Sequence, residues 1–142
     1  MALRIAFSAL GSAALIIGGL IFLIGPAVTG EIFTTMLRVF MQDAPPSVGL
    51  SGADVDSEMR FYAVLWMAYG GVALWVSRAI QERMRLLRWM LVIFWLGGIG
   101  RVISYFAVGA PHPLFIVLMW VEVVLPIVLL ALTYPGAKAA SG

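Results

Sequence analysis

Cysteine is absent from the chain. That excludes disulfides and thiolate-bound metal centres. Histidine occurs once, as His112 in the stretch "GAPHP", and lacks partners of the usual metal-ligating kind. No metal site and no cofactor is therefore expected. Charge is scarce: Asp, Glu, Lys and Arg make up 11% of the 142 residues, against 63% hydrophobic, and mean hydropathy is +1.05. An ordinary soluble domain carries about 25% charged residues, so that class is excluded. A net charge of +2 gives no ground for a nucleic-acid partner. No internal repeat is visible, which removes the main support for an inverted-repeat transporter.

What the chain has in abundance is apolar length. A membrane span needs about 20 mostly apolar residues. Ile5 to Gly30 is one charge-free run, and Phe61 to Ser77 is a second, bracketed by Arg60 and Arg78. Trp89 to Gly109 is broken only by Arg101, and Pro113 to Tyr134 only by Glu122. The first run is too long for a signal peptide, and "GPAVTGE" is a poor cleavage site. The expected fold is all-α, a four-helix transmembrane bundle in one domain over residues 1–142. Its spans fall at about 5–28, 58–78, 88–109 and 113–134.

Arg78, Arg83, Arg85 and Arg88 crowd the connection between the second and third spans. Cytoplasmic loops carry such an excess. Arg4 and Lys138 then fall on the same side, so both termini are expected in the cytoplasm of a bacterial inner-membrane protein. The opposite side receives Glu31, Asp43, Asp54, Asp56 and Glu58 against Arg38 and Arg60. Between the first two spans, "GEIFTTMLRVFMQ" reads as a short amphipathic helix. Ile32, Phe33, Met36, Leu37 and Phe40 share one face of it, with Thr34 turned away, and the helix is expected on the membrane surface or folded over the bundle; an ordered loop with apolar anchors is the alternative. Asp54, Asp56 and Ser57 are expected to cap the second span.

Gly11, Gly18 and Gly25 recur every seven residues, with Ser8 and Ala14 on the same side. Such a stripe lets helices meet closely in lipid. Gly70, Gly71, Gly97 and Gly100 are expected to do the same, and Gly100 forms a small-xxx-small pair with Ser104.

The two interrupted spans carry the candidate site. Arg101 lies eleven residues before His112 and Glu122 ten after it. At about 1.5 Å rise per residue, both sit roughly 12–15 Å from the turn. Opposite charges at one depth on antiparallel helices are expected to pair, because an unpaired charge in hydrocarbon costs about 3 kcal/mol or more. Pro126 removes the helix donor of the Glu122 carbonyl. Ser104 and Tyr105 lie one turn from Arg101, and Trp66 and Trp120 lie at a depth from which either ring could stack on the guanidinium. Arg60 and Glu58 would form the rim. Two readings of this cluster stay open: an ion pair that fixes helix register, and a polar pocket for a ligand head group.

The segments "VDSEMRFYAVLWMAYG" (55–70) and "GGIGRVISYFAVGAPHP" (97–113), with the lone Glu122, resemble the bacterial family called domain of unknown function 4345. The resemblance spans nearly the whole chain. It implies a small four-helix membrane protein with Glu58, Arg60, Arg101 and Glu122 as characteristic polar positions, and no assigned activity. The functional expectation is an intramembrane pocket for a lipid-like or small amphiphilic ligand, in contact with membrane lipid and open to self-association. The alternatives are a membrane enzyme on a lipophilic substrate, with Glu122 as acid or base, and a structural or assembly subunit.

Overall fold

A computed structural model of the chain describes residues 1–42, 44–46 and 48–134; Asp43 and Lys138 lie outside the described residues. The elements are α1 (Ala2–Ile24), α2 (Pro26–Leu37), a 3-10 turn (Val48–Leu50), α3 (Ala53–Ser77), α4 (Met84–Val108) and α5 (Pro113–Ala131). Among the described residues there is no strand. Four helices, α1, α3, α4 and α5, are long and apolar enough to cross a bilayer. The chain is thus an all-helical, multi-pass membrane protein.

Helix α1 buries Phe7, Gly11, Ala14, Gly18 and Ile21, a stripe with a spacing of three and four. This face meets α3. A Cβ on Gly11 would lie 2.8 Å from the Gly70 carbonyl oxygen, and one on Gly70 would lie 2.7 Å from that of Gly11. The two backbones therefore touch where both side chains are missing, as expected of small-residue packing in lipid. Ser8 Oγ donates to Ser77 Oγ at 3.1 Å and ties the same two helices nearer the arginine-rich end.

The second tight pair is α4 with α5, and the glycine that makes it is Gly98. A Cβ there would lie 2.8 Å from the Glu122 carbonyl carbon and 3.0 Å from the Glu122 Cβ. Gly97, Gly100 and Gly71 face open space instead, and Ser104 is exposed. The expectation for these four positions is corrected accordingly. Successive helical residues point about 100° apart, so only one glycine of the 97–100 cluster meets α5.

Although consecutive, α3 and α4 approach each other sparingly. The bundle is thus two glycine-tightened pairs, α1/α3 and α4/α5, held against each other by large side chains. At the arginine-rich end Phe7, Ala73, Val76, Leu87, Met90, Leu91 and Leu129 form a buried apolar core drawn from all four spans. Arg83 lies over the Trp75 ring and donates to its carbonyl. Arg88 donates to the Thr133 carbonyl at 2.9 Å, beyond the end of α5, where the helix dipole favours a cation.

The first apolar run is not one helix. It stops at Ile24, Gly25 takes φ +85°, and Pro26 opens α2 as its first residue. Gly tolerates that φ and Pro suits a first helical turn. A helix does follow the first span as expected, but its inward face is Pro26, Thr29, Gly30 and Thr34. Thr34 is fully buried, whereas Met36 is exposed and Phe40 is 86% exposed. Small and polar residues turn inward here because apolar surface facing lipid carries no penalty. At the start of α3 the N-cap is Gly52 with no side-chain cap. The expected capping by Asp54, Asp56 and Ser57 does not occur.

Candidate functional site

The space between the two helix pairs is a cavity of about 210 Å³. Every helix contributes to its wall. Leu10, Ile17 and Ile21 come from α1, Thr29 and Phe33 from α2, Met59 and Trp66 from α3, Phe94 and Arg101 from α4, and Phe115, Leu118 and Glu122 from α5. Leu50, in the short turn before α3, also reaches it. The tight glycine contacts lie within each pair, so the bulky side chains Trp66, Phe94 and Phe115 are left to span the gap between pairs. Trp66 meets Phe94 edge-on at 6.1 Å, and Tyr69 stacks on Phe94 at 6.2 Å while donating to the Met90 carbonyl at 3.1 Å.

Arg101 and Glu122 are the charged residues of this mostly apolar wall. Arg101 Nε donates to Glu122 Oε2 at 2.7 Å. The expected pairing across the α4–α5 hairpin is present. The Glu122 side chain is 7% exposed and that of Arg101 34%. Gly98 explains the facing. It lies one turn before Arg101, and its missing side chain lets α5 approach at Glu122 itself. Helix α5 continues through the buried Pro126, whose ring leaves the Glu122 carbonyl without its helix donor.

The pair is only partly saturated. Among the described residues, the two terminal nitrogens of Arg101 and Oε1 of Glu122 have no hydrogen-bond partner. The ring beside the guanidinium is Phe115, 5.7 Å from the cation, rather than Trp66 or Trp120. A guanidinium at that distance still gains from the ring face.

Of the eight residues expected from the sequence, the structure brings Arg101, Glu122 and Trp66 to the cavity. Trp120 is 59% exposed on the outer surface of α5. Tyr105 packs edge-on against Phe106 at 5.5 Å, and Ser104 and Glu58 are exposed. Arg60 serves another purpose. It forms a two-point ion pair with Asp56 (2.7 and 3.2 Å) and donates to the Phe22 carbonyl at 2.6 Å. It thereby clamps the last turn of α1 next to the Gly25 hinge.

Phe94, Phe115 and Leu118 also line the cavity, and a helical period contains them. Phe115 and Leu118 lie seven and four residues before Glu122, and Phe94 lies seven before Arg101. The α2 residues Thr29 and Phe33 carried no such signal, because their position depends on the turn at Gly25. His112 caps α5: its Nδ1 accepts from the Leu114 N–H at 3.2 Å, and its Nε2 lies 2.6 Å from the Pro45 carbonyl oxygen. The two contacts fit one neutral tautomer, with the proton on Nε2.

Residues 2–133 match the family described as Domain of unknown function (DUF4345). The chain belongs to that family. The match takes in the whole cavity wall, both glycine-tightened helix pairs and the Gly25 hinge. Comparison with curated proteins and with solved structures gave no match.

Proposed function

We propose that this protein binds a small lipid-like amphiphile in the cavity between its two helix pairs. The ligand's polar end would meet Arg101 and Glu122, and its apolar part would meet Leu10, Ile17, Phe94 and Leu118. One observation carries this reading. An ion pair with unused hydrogen-bonding atoms sits on the wall of a cavity that is mostly apolar. Small-molecule sites have that composition, mostly apolar with a few placed polar groups. Ionisable groups at membrane depth are costly and mark functional positions.

We further propose a bacterial inner-membrane location with both termini in the cytoplasm. The arginine-rich α3–α4 connection, residues 78–83, and Arg85 and Arg88 at the start of α4 support it. The cavity then lies in the half of the bundle nearer the outer face.

Native mass spectrometry of protein extracted in mild detergent tests the binding. A retained amphiphile is expected, and it should be lost from Leu118→Trp, which fills the cavity with a larger ring. A retained molecule that is chemically converted on incubation would make the protein an enzyme. Protein that carries nothing, in detergents that keep it folded, would overturn ligand binding in favour of a structural role.

A further inference from the structure

The charge balance of the cavity wall bears on which head group it would take. Arg101 and Glu122 already neutralise each other at 2.7 Å. The remaining named wall side chains are uncharged, and apolar apart from the indole N–H of Trp66 and from Thr29, whose hydroxyl donates to the Gly25 carbonyl at 2.7 Å. A carboxylate or phosphate entering beside Arg101 would add a second negative charge next to Glu122. An ammonium entering beside Glu122 would add a second positive charge next to Arg101. Either arrival leaves one net charge unbalanced at low dielectric, which is the costly condition.

The atoms left over point the same way. Arg101 retains donors at both terminal nitrogens, and Glu122 retains an acceptor at Oε1. A hydroxyl is both donor and acceptor. It can accept from the guanidinium and donate to the carboxylate, so one small group would bond to both members of the pair without disturbing their balance. A carbonyl alone could use only the arginine. The space is about seven water volumes at roughly 30 Å³ each, enough for a hydroxyl and a short stretch of chain.

We infer that the cavity selects an uncharged, hydroxyl-bearing amphiphile, an aliphatic alcohol or the free hydroxyl of a neutral lipid, and discriminates against carboxylates and amines of equal length. This rests on the binding role proposed above. The discrimination is set by the pair: removing either charge should redirect it. Glu122→Gln leaves an unbalanced guanidinium and should prefer a carboxylate. Arg101→Gln leaves an unbalanced carboxylate and should prefer an amine.

Trp66 supplies the readout. In detergent-solubilised protein, 6-bromohexanol should quench a saturable part of the tryptophan fluorescence that Trp66→Phe removes. Hexanol should compete for that part at least about tenfold better than hexanoate or hexylamine. Hexane, which has no hydrogen-bonding group, should compete worse than hexanol. In Glu122→Gln the order of hexanol and hexanoate should reverse, and in Arg101→Gln that of hexanol and hexylamine. Hexanoate or hexylamine competing as well as hexanol in the unmodified protein would overturn the inference, with the cavity reading left standing. No saturable Trp66 quenching by brominated hexanol, hexanoate or hexylamine would instead overturn the cavity reading itself. The unmodified protein alone decides the selectivity, so a poorly folding variant does not remove the test.

Discussion

At the scale of single residues, the stability of the Arg101–Glu122 pair depends on both members being present. Glu122 is almost fully buried, so Arg101→Met leaves a carboxylate with no counter-charge. Removing one member of a buried pair costs about 3–5 kcal/mol. The lower end is expected here, because the Arg101 side chain is about one-third exposed. The double change Arg101→Met with Glu122→Leu should cost clearly less than the two single changes added together. A double-mutant cycle on solubilised protein measures that coupling, and additive losses would sink the interaction. Gly98→Ala probes the same place from the backbone. Its Cβ would overlap the α5 main chain at Glu122, and overpacking of this kind costs about 1–3 kcal/mol. Gly97→Ala, one residue away and facing open space, should leave the melting temperature nearly unchanged.

At the scale of elements, the turn from α1 into α2 is held by two independent causes, and they can be separated. Gly25 has φ +85° and ψ 162°, a combination essentially confined to glycine that costs another L-residue about 1–3 kcal/mol. A Cβ there would also come within 2.8 Å of Arg60 Nη2 and 2.9 Å of Asp56 Oδ1. Gly25→Ala should therefore destabilise the unmodified protein, and less so an Arg60→Ala background, where the overlap with Arg60 disappears while the contact with Asp56 and the φ strain remain. Equal losses in both backgrounds, read from thermal unfolding, would remove Arg60 from the hinge. Helix α5 has its own anchor in His112. His112→Ala deletes the cap on the Leu114 N–H and should cost about 1 kcal/mol. Asn at this position can accept the same hydrogen bond and should recover most of that loss.

At the scale of the whole molecule, orientation is the testable property. A cysteine at Gly49 lies in the exposed segment before α3, and one at Glu82 lies in the exposed arginine-rich connection. The chain has no native cysteine to interfere. An impermeant thiol reagent added to intact cells should label the first and not the second. The reverse pattern would invert the topology argued from the arginines.

Much of this architecture is legible in one dimension. Four spans follow from runs of apolar residues, because crossing hydrocarbon demands length and little else. The common depth of Arg101 and Glu122 follows from counting outward from His112, since every helical residue adds the same rise. The face of α1 that meets α3 follows from Gly11 and Gly18, seven residues apart. Azimuth and partner choice are different quantities. Whether Gly97, Gly98 or Gly100 meets α5 is a rotation of α4, and only the packed bundle selects Gly98. Arg60 leaves the expected rim for the end of α1 because the break at Gly25 places the Phe22 carbonyl within its reach. Helix α2 turns Thr29, Gly30 and Thr34 inward, against its apolar pattern. In water an apolar stripe marks the buried side, but lipid removes that drive, and the fit of small side chains between helices decides the buried face.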